Sequence, residues 1–519
     1  MPSSNFIRSC RLGLWTTALS TVLAANVLAA DIDAEKLFQD NCATCHGAHR
    51  QGFIAPALTK ERLQSSPAAL RSMIMNGVGG TLMPPWVGRL SDPQIRALAS
   101  YIKTSAPQPV DFTADQMRAS LSVLVDEKTL PSKPTYAIDK MDDLMAVMVR
   151  GRYAKAPESK TVFFDGKTNR MVGEVPTGNA SHVLDYHPKN ERWAYVKTDQ
   201  AEVYKIDLYS MQAVRKIKTG LNGPGLAVSS DGKYVMASSF VPPRAVILDS
   251  DTLEVVKVLD LQGVDPDGKN VRSEGGSVTA SPYGPYLILA LERAGQVWII
   301  ETDKPDLPVT KITDVGRHLH DSFVSKDGRY YMVASYADNK IVAIDLKEKK
   351  VVRDIPAGCQ PHVGGGSIFR QGDKYLGVGT NIGQCDRGNV VTVWDMKDFS
   401  VVKQVPVAGP TESPAAHPNA PYVAVDIVGT GPEASQIQFI DKKTLEVAKT
   451  IEVGGHAYFP EYTADGRYLY VSAGYSGDKL IVLDSKTLEK VAEHKLQAPG
   501  GIFSHARPRF LTRGLEQNF

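Results

Sequence analysis

The chain has 519 residues, 43% of them hydrophobic and 22% charged, which are ordinary values for a folded globular protein. That length calls for more than one domain, or for a repeat array with an addition. A formal net charge of +2 without a clustered basic face gives no footprint for nucleic-acid binding.

The N-terminus opens with Arg8 and Arg11, and LWTTALSTVLAANVLAA then runs apolar and small up to Asp31. The pattern predicts an export signal over residues 1–30, with cleavage near Ala29 or Ala30. A membrane anchor is the alternative, but Thr and Ser interrupt the run and small residues crowd its end. No later segment is apolar enough to span a bilayer, so the expected location is the periplasm. Cys10 precedes the apolar core and is removed with it. Cys42, Cys45, Cys359 and Cys385 remain, in an oxidising compartment.

Cys42-Ala43-Thr44-Cys45-His46 is the C-x-x-C-H pattern of c-type haem attachment. Two thiols add to the two haem vinyl groups, and the histidine offers its imidazole to the iron. A zinc site would want two further ligands nearby; His49 alone does not complete a tetrahedron. The second axial ligand is expected at Met83, in GGTLMPPW, on a turn before Pro84 and Pro85. A thioether there raises the haem potential and suits electron acceptance. Met73 and Met75 compete, but AALRSMIMNGV reads more simply as helix packing. EKLFQDN and DPQIRALASYIKT have helical periodicity. Residues 31–105 are thus predicted to form a small helical cytochrome c domain, followed by a linker over 106–135.

From residue 136 to 519 the pattern is one of strands. SSDGKYVMAS, SKDGRYYMVAS and TADGRYLYVS recur, with weaker copies such as HPKNERWAYV and SPYGPYLILA. Each is followed by a strand pair ending in a phrase like VILDSDTLEVVKV. Eight units begin near residues 144, 188, 231, 283, 327, 372, 419 and 465. A period of this length, with several short alternating strands per unit and Asp-Gly hairpin turns, predicts an eight-bladed β-propeller with a broad central channel. The expected fold class is therefore α plus all-β.

Four histidines share one phase of the repeat: His182 in GNASHVLDY, His320 in GRHLHDSFV, His362 in CQPHVGGGS and His456 in GGHAYFPEY. Each precedes its unit's Asp-Gly-type turn, at the start of the innermost strand, so one phase means one end of the channel. A lone histidine there would be read as a strand cap. Four in phase, from different blades, make a metal-binding or proton-carrying set. His187 and His417 lie in His-Pro turns of another phase and read as structural; His318, His494 and His505 are left open. Cys359 and Cys385 fall at one end of a single blade, where they could meet as a disulfide or remain two buried thiols.

With these residues in view, the chain resembles the cytochrome cd1 family over nearly all of its mature length. The resemblance implies a haem c domain followed by a propeller that binds haem d1. By it, His182 matches the proximal d1 ligand, and His320 and His362 match a distal pair. The metal ligands implied are His46, Met83, His182 and His362. Arg150, Arg244 and Arg317 are expected to hold the carboxylates of the macrocycle, since guanidinium matches carboxylate in a fork. Two branches of the family carry both domains: a nitrite reductase and a dehydrogenase of dihydro-haem d1. Ser322 and Phe323 after Asp321, the turn GGHAYFPEY, and LMPPW followed by RLSDPQI resemble the dehydrogenase.

The activity implied is oxidation of a propionate side chain to acrylate, the last step of haem d1 formation, with haem c as the electron outlet. His456 is the expected base, and His362 and His320 its acid–base partners or a distal ligand. The implied partners are dihydro-haem d1, an electron acceptor, and a cd1 nitrite reductase to which the product is handed. Nitrite reduction and non-enzymatic carriage of d1 are the alternatives.

Overall fold

The computed structural model describes residues 32–52, 55–58, 63, 65–78, 83–104, 111–150, 159–178, 180–223, 225–383, 385–386, 388–429, 431–474 and 477–507. The predicted export segment, with Cys10, lies outside them. Among the described residues no helix is long and apolar enough to cross a membrane.

The N-terminal domain is helical: α1 (Ala34–Asn41), α2 (Ala43–His46), α3 (Pro67–Asn76) and α4 (Asp92–Thr104). Local chemistry starts two of these helices. The Asp33 carboxylate accepts from the Lys36 backbone N–H ahead of α1, and the Ser66 hydroxyl does the same for Ala69 ahead of α3. Their apolar faces meet in a core of Phe38, Leu70, Ile74, Ile95, Leu98 and Ile102. Cys42, Met75, Met83 and Trp86 pack against that core from its edge.

The remainder forms eight four-stranded antiparallel sheets, one of them extended by a fifth strand, together with a separate two-stranded hairpin. Numbering blades from the first strand after the linker, the inner strands are Pro499–Ser504 (blade 1), Ser181–Tyr186 (2), Leu226–Val228 (3), Gly275–Ser281 (4), Leu319–Val324 (5), Pro361–Gln371 (6), Pro414–Ala416 (7) and Tyr458–Tyr462 (8). The eight predicted units thus become eight blades, with one rearrangement. The first unit lacks an inner strand of its own. Pro499–Ser504 pairs antiparallel with Leu144–Val149 and supplies it from the far end of the chain. All six of those C-terminal residues are buried, so the ring is closed by chain ends rather than by a local hairpin. Second strands such as Leu144–Val149 are buried at every position. Fourth strands such as Lys350–Pro356 are mostly exposed, which explains their polar alternation.

The segment expected to be a linker over 106–135 is built onto the propeller from residue 111. Helix α5 (Ala114–Ala119) starts with a capping box of Thr113 and Gln116 and sinks Met117, fully buried, between blades 2 and 3. Burying a methionine contributes about 1.5–3 kcal/mol. Ser122–Val123 adds the fifth strand to blade 2 against Arg215 and Lys216. Glu127 then takes the fully buried Lys205 at 3.3 Å and Arg215 at 2.7 Å.

Candidate active site

Inner strands of a propeller run along the channel, and β-bulges decide which side chains enter it. The register slips by an extra residue or more at the site-bearing strands: between Ser181 and Val183, Leu319 and Ser322, His362 and Ser367, and Tyr458 and Glu461. Each slip lies at or beside a histidine or its neighbours and re-aims it. In blade 6 the bulge needs glycine. Gly364 and Gly366 have φ of 52° and 80°, and a side chain at Gly364 would strike the Ser413 backbone at 2.7 Å.

The cavity so formed has a volume of about 440 Å³ and is lined by all eight inner strands. His182 on blade 2 and His362 on blade 6 belong to opposite sides of the ring. His182 is held by a buried pair. Its Nδ1 lies 2.8 Å from Asp199 Oδ1, and Arg150 Nη1 donates to Asp199 Oδ2 at 2.9 Å. Arg150 also closes on His182 Nδ1. Burial disfavours the Asp199 carboxylate, but Arg150 and His182 outweigh it and hold its pKa below the usual range. With Nδ1 occupied, Nε2 is the His182 nitrogen offered to the cavity, the arrangement that orients an axial ligand.

Across the channel, His320, Asp321 and His362 bring their ligand atoms within 4.8 Å of one another. Asp321 Oδ1 is 3.1 Å from His320 Nδ1, and its Oδ2 is 3.1 Å from His362 Nε2. The His320 ring stacks on Tyr336 with centroids 4.7 Å apart. His362 Nδ1 donates to the Glu412 carbonyl at 2.8 Å. Burial works against a charged His320, yet the Asp321 carboxylate, with Glu292 and Glu412 beyond it, raises its pKa to about 9. For His362, burial dominates and His320 adds to it, so its pKa is lowered despite Asp321. The cluster thus holds one proton firmly on His320 and a second loosely on His362, the separation that divides acid from base in a catalytic pair. Glu412 has its carboxyl pKa raised by burial, then by Asp426 and Asp321, and accepts from the Tyr458 hydroxyl at 3.1 Å.

His456 is half-buried, two residues ahead of the blade 8 inner strand. His456 is not among the residues lining the cavity, and the three-residue cluster includes neither His456 nor His182. Of the three arginines, Arg150 lines the cavity and the other two do not. Arg244 lies on the third strand of blade 3, where Asp111 at 2.7 Å and Asp260 at 2.8 Å engage it, so it fastens the linker. Arg317 is tied at 2.7 Å to Asp267, in the turn of the extra hairpin. These partners correct the expectation that Arg244 and Arg317 hold a ligand in the channel. His187 and His505 are structural: His187 Nδ1 accepts from two backbone N–H groups, and buried His505 contacts the Glu191 carbonyl at 3.0 Å. Cys359 and Cys385 form a disulfide, three residues before His362.

Asp199, Glu412, Tyr336 and Tyr458 were missed in the sequence. A signal existed for two of them. The hairpin after each second strand lies at the same end as the start of the inner strand, and Asp199 and Tyr336 occupy that place in blades 2 and 5.

In the helical domain, Cys42 and Cys45 are half-buried. Burial, then Cys45, pushes the Cys42 thiol up to about 12. His46 Nδ1 donates to the Pro56 carbonyl at 2.8 Å, which leaves Nε2 for an iron. Met83 shares the domain core with Cys42, whereas Met73 is 45% exposed. Two thiols, one oriented imidazole and a thioether fit haem c.

A C-x-x-C-H helical domain joined to an eight-bladed propeller, with His182 lining the channel and the His320–Asp321–His362 cluster reaching it through Asp321, defines a two-domain haem protein. The Cytochrome D1 heme domain family matches residues 141–507, and the chain belongs to that family. The family Cytochrome C oxidase, cbb3-type, subunit III matches residues 29–102. Dihydro-heme d1 dehydrogenase of Pseudomonas aeruginosa is 29% identical over 495 residues, covering 94% of this chain and 96% of that protein. A nitrite reductase of Stutzerimonas stutzeri is 26% identical over 381 residues, covering 69% of this chain and 66% of the reductase. The solved structure of dihydro-heme d1 dehydrogenase NirN in complex with DHE superposes with a TM-score of 0.74 at 27% identity, covering 92% of this chain and 99% of that one.

Proposed function

We infer that the protein is a dihydro-haem d1 dehydrogenase, which converts a propionate side chain of the macrocycle to an acrylate with loss of two electrons and two protons. The observation that carries this reading is likeness to a dehydrogenase over both domains, 94% of this chain and 96% of the relative, where the reductase covers 69%. The bound macrocycle supplies a redox-active ring and iron, and haem c supplies a one-electron outlet. The rest falls to this chain. His182, oriented by Asp199, would hold the macrocycle iron through Nε2. His456 is the base for the proton on the carbon next to the carboxylate, a role that histidine commonly fills. The firmly protonated His320 stabilises negative charge that builds on the side-chain carboxylate as this proton leaves. His362, with its loosely held proton, serves as acid–base partner or distal ligand.

Export to the periplasm and transfer of the product to a cd1 nitrite reductase belong to the same reading. They are supported by the basic-apolar start of the chain and by the kinship with that reductase. The test is anaerobic mixing of the haem c-loaded protein with dihydro-haem d1 and an electron acceptor. Conversion of the macrocycle spectrum with reduction of haem c is expected. Binding without conversion would make the protein a carrier, and rapid nitrite turnover once loaded with d1 would make it a reductase.

A further inference from the structure

Within the distal cluster two electron-rich groups face each other. A carbonyl only accepts, so the Glu412 carbonyl fixes the His362 proton on Nδ1. In the neutral ring Nε2 then carries a lone pair, and it points at Asp321 Oδ2 from 3.1 Å. His320 Nδ1 stands 3.1 Å from the other Asp321 oxygen. Such an arrangement is stable only with a cation among the three donors, either shared protons or a metal ion. The spacing suits a metal. With bonds of about 2.0–2.2 Å, neighbouring ligand atoms of a tetrahedral zinc ion stand about 3.3 Å apart. An outer shell is also present: the Glu412 carbonyl fixes the His362 tautomer, and Tyr336 stacks on His320.

We propose that in the protein free of macrocycle His320, Asp321 and His362 bind one divalent transition-metal ion. Two imidazoles and one carboxylate select the zinc–iron–cobalt class over calcium and magnesium, which prefer oxygen donors throughout. Asp321 lines the cavity, so water there completes the coordination. Because dihydro-haem d1 oxidation is assigned to the same two histidines, metal and macrocycle exclude one another. This inference concerns the unloaded protein and goes beyond the proposed activity.

The test uses the full, tag-free chain carrying haem c, stripped with a chelator and titrated with Zn2+ by calorimetry. One equivalent is expected to bind. Asp321→Asn and His362→Ala should each weaken binding more than ~100-fold, since even outer-shell changes cost 10–100-fold. His182→Ala, on the opposite side of the ring, should retain it. Haem c absorbance and circular dichroism report folding, and if His362→Ala fails to fold, Asp321→Asn decides alone. Absence of saturable zinc binding, or binding that survives these substitutions, overturns the proposal. Pre-bound zinc should slow dihydro-haem d1 uptake at least ~10-fold by occupying the shared donors, and uptake at an unchanged rate would overturn it as well.

Discussion

His182 Nδ1 lies 2.8 Å from Asp199 Oδ1, while Arg150 holds the other oxygen of the same carboxylate at 2.9 Å. His182 is therefore the outermost member of a buried chain rather than a free side chain on a strand. Arg150 is 5% exposed and its partner Asp199 7%, so neither charge has water to fall back on.

Asp199→Asn should leave the fold intact and turn the His182 ring less firmly toward the channel. Affinity for dihydro-haem d1 should fall ~10–100-fold, as for other outer-shell changes at metal-ligating histidines. The iron spectrum of the bound macrocycle should shift, and Asp199→Glu should restore part of both. An optical titration with unchanged affinity and spectrum would show that the pair is structural only.

The disulfide between Cys359 and Cys385 ties the start of the blade 6 inner strand to the hairpin that faces it. Thiol counting on the denatured, unreduced protein should find neither cysteine free. Replacing both by serine should cost roughly 2–4 kcal/mol in denaturant unfolding, the usual value for closing a loop of this size. Loss of less than ~0.5 kcal/mol would mean that the native contacts already hold the hairpin, a residual well below that usual range.

The repeat and its punctuation could be read from the sequence because each blade writes its own second and third strands, and in three of them an Asp-Gly turn stands before the pair. The phase of His182, His320, His362 and His456 followed from that alignment. What could not be read was anything that depends on pairing between distant segments. Pro499–Ser504 carries no mark of belonging beside Leu144–Val149, and residues 111–135 look like a link because their partners, Lys205, Arg215 and Arg244, lie over 70 residues away. Arg244 and Arg317 were expected at the ligand for the same reason: a guanidinium's partner is a matter of three dimensions, and here Asp111 and Asp267 took them first.

Lys197 is fully buried beside this site, with its amine on the carbonyls of Gly225 and Ser238. Burial lowers its pKa to about 7, against which Asp199 pulls weakly. Between about pH 7 and the ordinary lysine value near 10.4 the unfolded chain binds the extra proton, so this residue makes stability rise with pH across that window. Lys197→Met should abolish that part of the slope, making the variant's advantage largest near pH 7 and smallest near pH 10. Denaturant midpoints of both proteins across this range check it; parallel curves would mean that Lys197 titrates normally.

His456→Ala separates chemistry from binding. The residue stands at the start of the blade 8 inner strand, outside the cluster of His320, Asp321 and His362 and outside the Asp199–His182 pair. Removing its imidazole should therefore leave both in place, with near-normal affinity for dihydro-haem d1 and an unchanged iron spectrum. As the proposed base, its loss should slow side-chain oxidation ~10²–10⁴-fold. His182→Ala should show the opposite pattern, with altered ligation and weakened binding. His362→Ala should lie between the two, because its ring both touches Asp321 and carries the loosely held proton. Single-turnover mixing followed by absorbance resolves binding from oxidation for all three. If His456→Ala oxidises dihydro-haem d1 at the wild-type rate, the proton leaves through another group. His362 is then the base, since its neighbour His320 is held protonated up to about pH 9.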